Sequence, residues 1–92
     1  MKNLTAFYLT TCPYCMKAKQ ALGELVQENP AYGTVPVEWV EETQEPDKVV
    51  GHAYYYVPSL FDGTKKLYEC QPGHDYDTIK AAVKEALDYA LA

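Results

Sequence analysis

Ninety-two residues, 48% of them hydrophobic, make one small domain with a modest core. A net charge of −5, with lysine as the only strongly basic residue, argues against a nucleic-acid partner and gives no polybasic patch for a membrane. No apolar run approaches the ~20 residues of a membrane span, and the N-terminal stretch lacks the length and cleavage site of a signal peptide, which predicts a cytoplasmic protein.

Residues 2–9, with their aromatic and β-branched side chains, predict a strand. Residues 13–28 predict a helix: Pro13 suits the first turn, and Ala18, Ala21, Leu22, Leu25 and Val26 recur on one face. Asn29-Pro30-Ala31-Tyr32-Gly33 ends it. Residues 35–40 predict a second strand, in which Val35, Val37 and Trp39 alternate with Pro36 and Glu38 and Trp39 faces the core. Strand, helix and strand in this order suggest a parallel βαβ unit. A short helix is expected over 46–51. Residues 55–61 then predict a strand interrupted by Pro58, Asp62-Gly63 a hairpin turn, and 65–70 the returning strand. Asp75 or a neighbour caps a last helix whose buried face is Tyr76, Ile79, Val83, Ala86, Leu87 and Ala90.

The chemistry concentrates at Cys12-Pro13-Tyr14-Cys15, where a strand ends and a helix begins. In a cytoplasmic protein such a pair is expected to be catalytic or metal-binding, and three cysteines fit no paired structural framework. The thiolate is the nucleophile in disulfide exchange. Cys12 falls at the helix N-terminus, where free backbone N–H groups and the dipole favour negative charge, so its pKa is expected below the ~8.5 of a free cysteine. Lys17 adds positive charge nearby. Cys15 lies one turn further on the same side, at a Cα separation of about 5–6 Å that a disulfide tolerates. Cys12 is thus the expected nucleophile and Cys15 the resolving thiol.

Two other uses of these cysteines stand beside this one. Cys12, Cys15, Cys70 and His74 supply the count of a Cys3His zinc site, and an iron–sulfur module would use the same thiols. Pro13-Tyr14 opens a regular helix rather than the tight turn of a zinc knuckle, which favours redox use. A binding domain that keeps the cysteines without turnover is the third reading.

Residues 7–19, Phe-Tyr-Leu-Thr-Thr-Cys-Pro-Tyr-Cys-Met-Lys-Ala-Lys, resemble the first strand, active site and helix of the glutaredoxins. Tyr56-Val57-Pro58 stands where that family has Thr-Val-Pro, and Ser59-Leu60-Phe61-Asp62-Gly63 continues as its hairpin does. The resemblance spans the element order of the whole chain. It implies an α/β thioredoxin-like fold of order β-α-β-α-β-β-α, a four-stranded mixed sheet flanked by helices. It implies a thiol–disulfide oxidoreductase of cell redox homeostasis with no bound cofactor or metal. Glutathione is then a possible co-substrate, and protein or small mixed disulfides are the partners. It further implies that Val57-Pro58 is cis and faces the dithiol, with the Val57 backbone pairing with the incoming disulfide. Thr11, Pro13, Tyr14, Lys17, Val57 and Pro58 are the expected substrate-binding residues.

Three departures bear on the electron donor. Leu9 stands where glutaredoxins commonly have lysine. Residues 69–75, Glu-Cys-Gln-Pro-Gly-His-Asp, lack the family's double glycine and look more like a thioredoxin. Glu41, Glu42, Glu45 and Asp47, opposed only by Lys48, weaken capture of an anionic tripeptide. A thioredoxin-like reductase fed by thioredoxin reductase is therefore the alternative. Of the remaining residues, Cys70 is expected to be a small hydrophobe at a strand end or a regulatory thiol. His52 and His74 are expected at the surface or in caps. Tyr54-Tyr55-Tyr56 is expected to alternate across its strand, as packing or as an aromatic rim beside the dithiol.

Overall fold

Leu4–Tyr8 forms the inner strand β1 in a computed structural model, which describes residues 2–92. Its side chains divide cleanly: Leu4 and Ala6 enter one apolar cluster and Phe7 the other, on the opposite face. Helix α1, Pro13–Glu28, follows as expected, with Ala18, Ala21 and Leu25 buried. Asn29 leaves the helix in an extended conformation, and its Oδ1 accepts the Ala31 N–H at 3.2 Å to open a 3₁₀ turn, Pro30–Thr34.

That turn delays the second strand, so β2 runs Val37–Glu41 rather than 35–40. Pro36 has no N–H to give, but its carbonyl accepts from Leu4 at 2.9 Å and sets the register Leu4↔Val37 of the parallel β1–β2 pair. Trp39 packs against the main cluster and is half-buried, with Tyr8 edge-on to its ring. The short helix α2 is Pro46–Val49.

The strand expected over 55–61 begins only at Ser59: β3 is Ser59–Asp62. Residues 55–58 bend instead. Their N–H groups are not available to a ladder, since Tyr55 and Tyr56 both donate to the Glu69 carboxylate and Pro58 has none. Gly63, at φ 57°, makes the turn into β4, Lys65–Glu69, in a conformation that a side chain would disfavour. Asp75 caps α3, Tyr76–Leu91, by accepting the Thr78 N–H at 2.8 Å. Ile79, Val83, Ala86, Leu87 and Ala90 are buried as expected; Tyr76 is half-buried, its hydroxyl donating to Glu24 of α1 at 2.6 Å.

The sheet order is β2-β1-β3-β4, with β1–β2 parallel and both β1–β3 and β3–β4 antiparallel. This is the mixed four-stranded sheet flanked by helices that the thioredoxin-like expectation named. Helices α1 and α3 pack together over one face, where the main cluster lies. The other face is thinly covered: Phe7, Val40 and Phe61 meet Val49, Tyr54 and Val57 from α2 and the segment after it. His52 also packs here, with its ring 4.8 Å from Phe7 and 4.9 Å from Phe61, and its Nε2 meets the Gly63 carbonyl of the hairpin turn at 3.1 Å.

Candidate active site

The chain leaves β1 through Leu9–Thr11, and the Cys12 N–H donates to the Leu9 carbonyl at 3.3 Å. Cys12 is then the N-cap of α1, with extended backbone, and its sulfur accepts the Cys15 N–H at 3.4 Å. One of the free N–H groups of the helix end is thereby aimed at Sγ. On its other side, Cys12 Sγ donates to the Val57 carbonyl at 3.5 Å. The Val57–Pro58 peptide is cis, as the resemblance implied. Pro58 is buried, and its carbonyl accepts the Cys70 N–H at 3.0 Å, which ties this segment to the end of β4.

The two thiols are unequal. Cys12 is partly accessible, whereas Cys15 is 1% exposed. Burial pushes the Cys15 thiol up to about 12, and the neighbouring Cys12 adds to the rise. Cys70 is likewise buried, and loss of solvent raises its pKa. It serves as a small hydrophobe in the main cluster.

Of the other expected site residues, Thr11 and Pro13 are exposed beside Cys12. Tyr14 is half-buried, and its hydroxyl accepts the Gly73 N–H at 3.0 Å, so its ring leans towards the turn before α3. Lys17 sits 5.6 Å from the centre of that ring. His74 Nδ1 receives the Tyr68 hydroxyl at 2.8 Å and the Gln71 N–H at 3.3 Å, which makes it a turn-stabilising residue. Among the described residues no three His, Cys, Asp or Glu side chains are grouped to hold a metal ion.

Glu69 is the residue that sequence reasoning missed. Its side chain is 10% exposed; Oε2 accepts from both Tyr55 N–H and Tyr56 N–H at 2.9 Å, and Oε1 pairs with Lys66 at 2.6 Å. Ser59 Oγ adds a bond to the Tyr56 carbonyl at 2.6 Å. The backbone that reaches Val57 is thus pinned from β4. Nothing local in Leu67-Tyr68-Glu69-Cys70 signals this, since the partners lie well before it in the chain.

Among solved structures, the chain is similar to oxidised glutaredoxin 2 from Chlamydomonas reinhardtii, at 26% identity and a TM-score of 0.48, over 98% of this chain and 79% of that one. No protein-family model and no curated protein matches it. No helix of the described residues is long and apolar enough to cross a membrane.

Proposed function

We propose that this chain is a glutaredoxin-like thiol–disulfide oxidoreductase that reduces protein or mixed disulfides through Cys12 and Cys15. One observation carries the reading: Cys12 Sγ lies reachable at a helix start, between the Cys15 N–H and the Val57 carbonyl, while Cys15 is sealed beneath it.

Cys12 attacks as thiolate. The Cys12–substrate bond forms, the substrate S–S bond breaks, and the departing sulfur takes a proton. Cys15 then loses its proton and attacks Cys12 Sγ. The Cys12–Cys15 bond forms and the second substrate thiolate leaves and is protonated. Two electrons and two protons pass from the dithiol to the substrate. The first step also prepares the second. A Cys12 thiolate raises the Cys15 pKa, and that charge disappears once Cys12 is bonded to substrate. Val57 and Pro58 give the backbone edge that receives the substrate, with Thr11, Pro13, Tyr14 and Lys17 around it.

An external donor must return the disulfide to the dithiol: glutathione, or alternatively a flavin-containing thioredoxin reductase. The neighbourhood favours a donor other than an anionic tripeptide, because Lys48 is already paired with Glu38 at 2.8 Å and Glu45 at 3.0 Å. We place the enzyme in the cytoplasm, with no bound metal or cofactor.

The test is substitution of each thiol. Cys12→Ser is expected to abolish reduction of bis(2-hydroxyethyl) disulfide, and Cys15→Ser to accumulate a mixed disulfide visible as a mass increase. Full activity in Cys12→Ser overturns the reading. Oxidation of NADPH, followed once with glutathione and its reductase and once with thioredoxin reductase, identifies the donor.

A further inference from the structure

Among the described residues five large apolar side chains are exposed: Met16, Val50, Tyr55, Tyr56 and Leu91. Three of them lie within four residues of Cys12 or Val57 in the chain. Met16 follows Cys12 by one helical turn and shares its face. Tyr55 and Tyr56, at 94% and 47% exposure, immediately precede Val57. Their display is built. Glu69 holds both of their N–H groups, Ser59 holds the Tyr56 carbonyl, and the rings are left outside.

The same segment is joined to a negative edge. Tyr54 donates its hydroxyl to Glu42, in the turn that follows β2. Because β2 runs parallel to β1, this turn lies at the sheet end from which Cys12 emerges. The turn and α2 carry Glu42, Glu45 and Asp47 against Lys48 alone. Lys48 is committed to Glu38 and Glu45, and among the described residues no lysine pairs with Glu42 or Asp47. Exposed tyrosine faces attract cations, and an acidic border raises the local concentration of positive partners.

We infer that this margin docks a cationic, extended segment of a disulfide-bonded protein, with lysine or arginine beside the reacting cysteine lying over Tyr55 and Tyr56. The inference rests on the oxidoreductase reading and names its substrate class. The occupant is set by charge complementarity: an acidic edge repels an anionic disulfide and favours a basic one.

The experiment uses the reduced protein stoichiometrically, so that no electron donor enters. It is oxidised by symmetric disulfides of two cysteinyl peptides, identical but for flanking lysines or glutamates, and by neutral bis(2-hydroxyethyl) disulfide. Each event forms the Cys12–Cys15 bond and releases two thiols, read by acid quench, alkylation and mass. Rates are divided by those of the same disulfides with a small neutral dithiol, which removes their intrinsic reactivity. The lysine peptide is expected to react about tenfold faster than the glutamate peptide at low salt, and the gap to narrow as salt screens the charges. Tyr55→Ser/Tyr56→Ser is expected to slow the lysine peptide about fivefold and leave the neutral disulfide unchanged. Equal normalised rates for the two peptides, faster glutamate peptide, or a lysine preference intact in the double variant overturns the inference. Failure to be oxidised even by bis(2-hydroxyethyl) disulfide overturns the oxidoreductase reading and this inference with it.

Discussion

One helical turn separates Cys12 from Cys15, and burial makes them different reagents. The pairing was legible in the sequence because N-cap geometry and helical spacing are local. The degree of difference was not, since it depends on a burial that brings Cys70, far along the chain, to Cys15. A thiol held near 12 is almost wholly protonated at neutral pH, so its ionised fraction rises steeply with alkalinity. In stopped-flow measurements of single turnovers, the resolving step is expected to quicken as pH rises, because burial still holds the Cys15 thiol up after Cys12 has given its charge to the mixed disulfide. A plateau beginning near neutrality would show instead that Cys15 is already ionised. In the same protein, iodoacetamide is expected to modify Cys12 first and to spare Cys15 and Cys70, as read by peptide mass.

Elements whose order is set by nearby residues were legible, and those set at a distance were not. Helix α1 begins and ends where Pro13 and Asn29 place it, and Asp75 announces α3. The segment before β3 is the contrary case. Tyr54-Tyr55-Tyr56 has strong strand preference, yet the Glu69 carboxylate takes the two N–H groups that a ladder would need. Glu69→Ala is therefore expected to speed amide hydrogen exchange at Tyr55 and Tyr56 and to lower kcat/KM for peptide disulfides through KM. Iodoacetamide modification of Cys12 is expected to stay at its original rate. Glu69→Gln, whose amide oxygen still accepts both N–H groups, is expected to restore exchange and turnover. Unchanged amide exchange in Glu69→Ala would refute this positioning role.

At the scale of the molecule, two lysine–carboxylate clusters join α1 and the following turn to α3. Lys80 reaches Glu24 at 3.1 Å and Glu28 at 2.7 Å, and Asp88 receives Tyr32 at 2.6 Å and Lys84 at 2.8 Å. Hydrogen bonds from Tyr76 and Lys80 hold the Glu24 carboxyl down at about 2 from an ordinary 4.5. Thr43, Lys66, Thr78 and Lys84 lower Glu41, Glu69, Asp75 and Asp88 in the same direction. Depressed carboxyls contribute stability that is complete above their unfolded range and is lost as pH falls through the folded values. The urea midpoint, followed by Trp39 fluorescence, is thus expected to hold between neutrality and about pH 5 and to fall between 4.5 and about 2. A midpoint unchanged down to that limit would show that these contacts are no stronger folded than unfolded. The clusters were invisible in the sequence because their members lie up to 56 residues apart.

The contact between Cys12 and Val57 spans 45 residues of chain. Translation delivers the amino-terminal partner first. At the usual pace of synthesis, roughly 2–9 s pass between the emergence of one and the other. For that interval Cys12 and Cys15 are a nascent dithiol with no facing backbone and no completed sheet. The β1–β3 pairing that ends the interval gives Cys12 the facing Val57 carbonyl.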